Sequence, residues 1–259
     1  MLKLVSKSSG IKLLEYSYPN IGKNDVLIET IGSCYSKGTE YSTVKNHQRS
    51  IIQKVIENQS KIVDLIQKKD FKTLFKKLNE QKTSTINLGY SASGKVLAIG
   101  ESVRDIKIGD MVVSLGSSAN HSQYSVVPNG LCIKIGNEVD PLQASSAAIA
   151  SIALNSVLLA NPLIGSKALV IGCGLIGQFI IQFLNISGVE STSVDIDYSK
   201  KEQSLLHGSN SFLSLEEFHQ ANISNEFENV FIVTPSIEKE LELNIGFSNS
   251  IDKKWWEFD

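Results

Sequence analysis

Cysteine is scarce: Cys34, Cys132 and Cys173 are the three in 259 residues, and no two form a CxxC pair. That spacing argues against a disulfide scaffold and a sulfur-rich zinc cluster, and it fits a reducing compartment, so a cytoplasmic location is expected. An excess of charge of either sign is missing as well. The 25 Lys and Arg against 27 Asp and Glu leave a formal charge of −2, which gives the whole molecule no field to gather nucleic acid. The opening "MLKLVSKSSG" lacks an apolar run long enough for a secretion signal.

One stretch is nearly free of charge. Between Asp140 and Glu190 the sole charged residue is Lys167, and "SSAAIASIALNSVLLANPLI" is about the length of a bilayer span. The run is rich in Ala and Ser, contains Asn155 and Asn161 and reaches Pro162, and three glycines break the apolar run after it. The reading preferred is a buried helix beside a buried parallel strand, since such strands read as continuous apolar runs; no membrane partner is expected.

What is present describes a soluble globular chain, 42% hydrophobic and 20% charged, of a length that suits one long domain or two ordinary ones. Residues 1 to about 40 read as strands, with "LKLVS" and "IKLLEY" around the turn "KSSG" and then "DVLIETIGS". From Val44 to Leu78 the apolar spacing turns helical. This insert, about 44–82, carries ten Lys or Arg against four acids, so it is about +6 and the remainder about −8. Its two aromatics, Phe71 and Phe75, share the apolar stripe with Leu74 and Leu78. Solvated amphipathic helices are therefore expected, not a base-stacking nucleic-acid arm.

Strands return from Gly89: "SGKVLAIG", "MVVSL", "SQYSVV" and "CIKI" at the regular spacing of a small barrel. Asp140-Pro141 reads as the N-cap and first turn of the Ala-rich helix. From Ala168 the order is strand, helix, strand, helix, then "SFLS" and "NVFIVTP", the βαβ rhythm of a parallel sheet. Two domains follow, 1–139 and 140–259.

The stretch "ALVIGCGLIGQFIIQF" carries the most chemistry. GxGxxG is weak alone, yet here it follows a strand, opens a helix, and is followed 21 positions after Gly174 by Asp195, which ends the next strand. Gly172 permits the tight turn, Gly174 clears space for a pyrophosphate, and Gly177 lets helix and strand pack closely. The helix's unpaired N–H groups, from Leu175 and Ile176 onward, attract the phosphates. Asp195 accepts ribose hydroxyls and repels a 2′-phosphate, which favours NAD over NADP. The expected cofactor-binding set is Gly172, Gly174, Leu175, Ile176, Gly177, Asp195 and Thr234.

A small all-β region followed by a nucleotide-binding βαβ region resembles the medium-chain dehydrogenase/reductase superfamily. The residues that carry the likeness are "DVLIETIGSCYSKGTE", "LGYSASGKVLAIGESVRDIKIGDMVV", "VVPNGLCIKI" and "VIGCGLIGQ…VDID". It implies α/β plus β architecture: a GroES-like β-barrel domain with a helical insert, then a doubly wound Rossmann domain. "SKGTE", the basic insert and "LGYSASG" are similar to a zinc-independent subgroup. Its members are often fused to a second, Gfo/Idh/MocA-type domain and found among surface-polysaccharide genes.

The resemblance also marks departures. Lys37 stands where zinc-dependent members place a cysteine, and Gly89-Tyr90-Ser91 where they carry "GHE". A lysine and a phenol do not replace a thiolate and an imidazole around zinc, so no metal is expected, and Cys34 and His121 read as a strand cysteine and a loop histidine. Thr39 occupies the position of a relay hydroxyl. With Tyr90 and Lys37 it forms the expected catalytic set, donors to a developing oxyanion.

After Pro235 the family implies two further βα units of about 30 residues each. The last 24 residues show no strand-then-helix pattern and end near an exposed-looking Trp255-Trp256. An incomplete sheet is expected, with an edge and an apolar face left for a homo-oligomer or partner domain to cover. A short native ending that pairs in trans and a truncated or frame-shifted reading frame both fit that pattern. The expected function is a zinc-independent NAD(P)(H)-dependent alcohol/carbonyl oxidoreductase acting on a small molecule, a sugar or sugar nucleotide. The alternative is a catalytically incomplete dinucleotide-binding module.

Overall fold

A computed structural model of the chain describes residues 1–48, 85–221, 226–234 and, for the main chain, 254–257. Most of the basic insert and its amphipathic pattern lie outside the described residues. The chain divides into two compact units, Met1–Ala148 and Ile149–Asp259.

In the first unit, β1 (Leu2–Lys7) and β2 (Gly10–Glu15) form an antiparallel hairpin, and β4 (Ile86–Asn87) joins the other edge of β1. A second antiparallel sheet is built from β3 (Asp25–Ser33), β5 (Ser91–Ile99), β6 (Met111–Leu115), β7 (Tyr124–Pro128) and β8 (Cys132–Lys134), in the order β7-β3-β5-β6-β8. Val26, Ile28, Val96, Val112 and Val127 point to one side and close a core over Val103, Ile106 and Cys132. This is the period-two alternation of a half-buried sheet, and with the hairpin it makes the GroES-like half of the fold.

Helix α1 (Lys37–Gln48) corrects the reading of strands up to residue 40. Its first turn is fixed by Glu40, whose N–H donates to Ser36 O (2.9 Å) while Oε1 accepts from Ser36 N–H (3.1 Å). Near its end the buried pair Ser6 Oγ and His47 Nδ1, 3.0 Å apart, ties it to β1. A run such as "SKGTEY" has no apolar period to announce a helix; local side-chain-to-backbone bonds set it instead.

Asp140 caps as its sequence suggests, accepting from Leu142 N–H at 2.9 Å, but the helix is split. α2 (Pro141–Ala144) ends after one turn and α3 (Ala147–Ala160) restarts beyond Ser145-Ser146. Both serine hydroxyls donate back to carbonyls three residues earlier. Ser91 Oγ donates to Ser145 O and accepts from Ala148 N–H, filling the break.

The second unit is a parallel sheet of order β11-β10-β9-β12-β13. β9 (Lys167–Ile171) leads to α4 (Leu175–Ile186), β10 (Glu190–Asp195) to α5 (Lys201–Leu206), and β11 (Ser211–Ser214) to α6 (Leu215–Gln220). β12 is Asn229–Ile232. Both faces are covered. Ala168, Val170 and Phe231 meet Ala153, Val157 and Ala160 of α3 and Ile180, Ile181 and Leu184 of α4, while Leu169, Ile171 and Val230 meet Phe218 of α6 and Phe227. Each fully buried Ile or Leu contributes about 1.5–3 kcal/mol. No helix among the described residues is long and apolar enough to cross a membrane.

The fifth strand is a correction. β13 (Lys254–Glu257) runs parallel to β12 in the register Asn229↔Lys254 to Ile232↔Glu257, in a tail whose sequence shows no strand-then-helix pattern and in which no strand was expected. Four residues are too few for a periodic signal, yet aromatic residues favour a pleated strand. With this strand the sheet shows the Rossmann order on both sides of β9.

Candidate functional site

The glycine turn leaves the C-terminal end of β9, where the chain order reverses between β9 and β12. That is the switch point at which open α/β sheets hold ligands. Gly172 sits at φ +97°, and a Cβ there would lie 2.8 Å from Val233 O and 2.9 Å from Thr234 Cγ2. No L side chain suits both that conformation and that contact. A Cβ on Gly177 would run into the Gly172 carbonyl oxygen, so α4 lies against the turn more closely than any alanine allows. Gly174 differs: it caps α4 at an ordinary φ of −70°, and a Cβ would meet nothing within 4 Å. Bare main chain therefore faces open space at the start of α4, where unpaired N–H groups and the helix dipole favour an anion.

Asp195 is fixed beside this turn. Its Oδ2 accepts from Cys173 N–H at 2.6 Å and its Oδ1 from Asp197 N–H at 2.8 Å. Cys173 itself is buried, and that burial pushes its thiol up to about 11; it packs, and it is no nucleophile. Leu175 is exposed, whereas Ile176 packs on the core. Thr234 follows β12 with its methyl beside Gly172. The turn thus gathers Gly172, Gly174, Leu175, Gly177, Asp195 and Thr234, and turns Ile176 inward.

A residue that sequence reasoning passed over fastens the turn. The buried Gln178 donates from Nε2 to Cys173 O (3.2 Å) and Ser204 Oγ (2.9 Å), and its Oε1 lies 2.7 Å from His207 Nδ1. It ties turn, α4 and α5 together beside a cavity of about 370 Å³ lined by Gly174, Leu175, Gln178, Phe179, Lys200 and Gln203. A buried glutamine one residue past the motif is the signal that was available. The open Gly174, the switch point and the anchored carboxylate together fit the adenosine and pyrophosphate of a dinucleotide.

In the first unit Lys37 and Thr39 occupy the exposed first turn of α1, and Tyr90 is half-buried ahead of β5. Between them lies a polar line that sequence reasoning missed. His121 Nε2 is 2.8 Å from Glu40 Oε2, and His121 Nδ1 is 2.8 Å from Ser33 Oγ. The side chains of His121 and Glu40 are 11% and 4% exposed, while Ser33 is half-buried. The ring lies over Gly89, at φ +90°, where a Cβ would be 2.9 Å from ring Cγ. So Glu40 adjoins Thr39, His121 rests on the residue before Tyr90, and Ser33 ends β3. No sequence spacing links these three segments.

Lys37 and Tyr90, which the resemblance sets at the positions of zinc ligands, are a lysine and a phenol, and among the described residues no group of three or more His, Cys, Asp or Glu could hold a metal ion. Burial, and then the Glu40 carboxylate, raise the Cys34 thiol above its usual value.

No protein-family model matches the chain. Over 131 residues it is 28% identical to the (R,R)-butanediol dehydrogenase of Bacillus subtilis strain 168, a match covering 41% of this chain and 38% of that protein. The matched part is thus well under half of the relative's length. Among solved structures, galactitol-1-phosphate dehydrogenase from Escherichia coli aligns with a TM-score of 0.68 at 16% identity, covering 90% of this chain and 68% of that one. The Escherichia coli quinone oxidoreductase complexed with NADPH aligns at 0.65 and 14%, covering 89% and 65%. At such identities the likeness establishes the fold: a GroES-like half followed by a Rossmann half.

Proposed function

We propose that this chain carries out nicotinamide-dinucleotide-dependent hydride transfer between an alcohol and a carbonyl, in the manner of the medium-chain dehydrogenase/reductase superfamily and without zinc. One observation carries the reading: bare main chain at Gly174 opens onto free space at the head of α4, with the Asp195 carboxylate held beside it. The dehydrogenase and oxidoreductase names of the similar proteins support it.

The turn and the head of α4 hold the pyrophosphate through main-chain N–H groups. Asp195 receives the adenosine ribose hydroxyls, and its charge opposes a 2′-phosphate, which favours NAD. When bound, the dinucleotide supplies a hydride acceptor or donor at its nicotinamide. Thr39 and Tyr90 donate hydrogen bonds to the oxygen on which charge develops, and Lys37 adds a positive charge. A hydroxyl-rich substrate, a sugar or sugar nucleotide, agrees with the polyol names of two similar proteins.

Thermal shift with NAD, NADP and AMP tests the binding half: NAD should stabilise most, AMP less and NADP least. Equal stabilisation by NAD and AMP would leave only an adenosine site. Thr39→Val and Tyr90→Phe test the chemistry, and hydride transfer unaffected by both would remove these two residues from it.

A further inference from the structure

We propose that Gln178 is a positioning residue for the dinucleotide: by holding the carbonyl oxygens of Cys173 and Gly174 toward the body of α4, it turns the N–H groups of Gly174 and Leu175 outward as donors to a phosphate. The inference rests on the reading that the turn takes a pyrophosphate, and it assigns the residue that shapes the turn for that ligand. Gln178 is held to one orientation. Cys173 O can only accept, so the amide nitrogen lies on its side, and Nε2 donates to Cys173 O (3.2 Å) and to the buried Ser204 Oγ (2.9 Å). The amide oxygen then faces His207. It too can only accept, so His207 Nδ1 carries a proton and donates to it across 2.7 Å. Both N–H donors and the carbonyl of a residue only 5% exposed are thus engaged. A turned-over amide would set nitrogen against nitrogen at His207 and oxygen against oxygen at Cys173.

Three consecutive peptide planes are fixed at the turn. Asp195 Oδ2 accepts from Cys173 N–H at 2.6 Å and sets the plane between residues 172 and 173. Gln178 sets the next two, its side chain through Cys173 O and its main-chain N–H through Gly174 O at 2.9 Å. The C=O and N–H of a trans peptide point in opposite directions, and the described residues include no cis bond. With both carbonyls drawn toward Gln178, the N–H groups of Gly174 and Leu175 point away from it. Neither has an acceptor among the described residues. They are two of the orphan donors with which a helix start meets an anion.

The helix's own hydrogen bond secures the plane after Gly174 whatever the side chains, whereas the plane before it depends on Gln178. A glycine takes φ of either sign at little cost. The peptide between Cys173 and Gly174 can therefore turn over, carrying Gly174 from its φ of −70° into the positive range. Turned over, it presents the Cys173 carbonyl oxygen where Gly174 N–H stood, a negative end facing a phosphate. The same glycine that clears space for the ligand thus loosens the plane that must greet it, and the Gln178 amide removes that freedom. Ser204 lies on α5 and His207 caps it, so the glutamine is braced in turn from the second βα unit.

Gln178→Met keeps the length of the side chain and removes both donors. Calorimetry on the full-length chain with AMP and with adenosine reads the phosphate separately from the nucleoside. The wild type should bind AMP about tenfold or more tightly than adenosine, the worth of hydrogen bonds to a charged group. In Gln178→Met that ratio should fall to about threefold or less, with adenosine affinity within about twofold of wild type and NAD weakened in step with AMP. A ratio that survives in Gln178→Met overturns the assignment. So does an equal loss for AMP and adenosine, which marks Gln178 as a brace between helices and nothing more. Should Gln178→Met not fold, the wild type decides by NMR. AMP, and not adenosine, should move the amide proton resonances of Gly174 and Leu175 downfield, and unmoved amides overturn the assignment. A wild type that binds AMP no better than adenosine removes the pyrophosphate reading itself, and the role of Gln178 falls with it, so the two failures are told apart.

Discussion

Gly174 and Gly177 lie three residues apart in one motif, yet an added methyl group asks opposite things of them. At Gly174 it enters open space at an allowed φ, so Gly174→Ala should leave stability unchanged or raise it by about 0.4–1 kcal/mol. It also fills the place where the proposed reading puts the pyrophosphate, so on that reading NAD affinity should fall at least about tenfold, roughly 1.4 kcal/mol. At Gly177 the methyl meets the Gly172 carbonyl, and Gly177→Ala should cost about 1–3 kcal/mol in a closely packed interior. Urea unfolding and calorimetry on both variants separate the two. Full NAD affinity in Gly174→Ala would remove the turn as the binding place. A second expectation concerns the thiols. Burial raises both Cys132 and Cys173 to about 11, which keeps them neutral at every pH well below that value. Neither should react with a disulfide reagent at mildly alkaline pH until denaturant is added, and rapid labelling of Cys173 in the native chain would contradict its buried place.

Elements differ in how plainly a sequence announces them. The strands β3, β5, β9 and β12 were legible because their apolar residues sit in one half-buried or fully buried face, a period no loop imitates. Short elements held by hydrogen bonds carry no such period. α6, six residues long, falls between "SFLS" and "NVFIVTP", where the sequence reads as two strands in succession. Its one signal is chemical: Ser214 Oγ accepts from Glu217 N–H and the Glu217 carboxylate accepts from Ser214 N–H, a reciprocal capping box. Ser214→Ala should therefore cost about 1 kcal/mol. The Ser214 N–H, and then its hydroxyl, hold the Glu217 carboxyl below its usual value. A depressed carboxyl stabilises above its unfolded pKa and loses that contribution as pH falls through the folded one. Urea melts at neutral pH and in acid should then show Glu217→Gln narrowing the gap to wild type in acid. A gap that widens there would refute the cap's charge.

At the scale of the molecule, what stayed hidden is what topology alone brings together. Glu40 and His121 are 81 positions apart, and Lys254–Glu257 crosses from the tail to lie beside β12; no local pattern encodes either. The glycine turn was legible because its parts are contiguous and Asp195 follows at the length of one βαβ unit. Each unit, moreover, owns a core: Val26, Ile28, Val96 and Val112 in the first, and the two layers around β9 in the second. A unit with its own core can open on its own, so a ligand confined to one should be felt there first. NAD at a hundred times its dissociation constant adds about 2.7 kcal/mol to the state that binds it. Hydrogen exchange with NAD should slow the amides of β9, the head of α4 and β10, and leave those of β3 and β5 near their unliganded rates. AMP should reproduce a fraction of this pattern, since the proposed site takes its ribose at Asp195 and its phosphate at the turn. Protection spread evenly over β3 and β5, or missing from the turn, would mean that the dinucleotide is held by something other than bare main chain at Gly174.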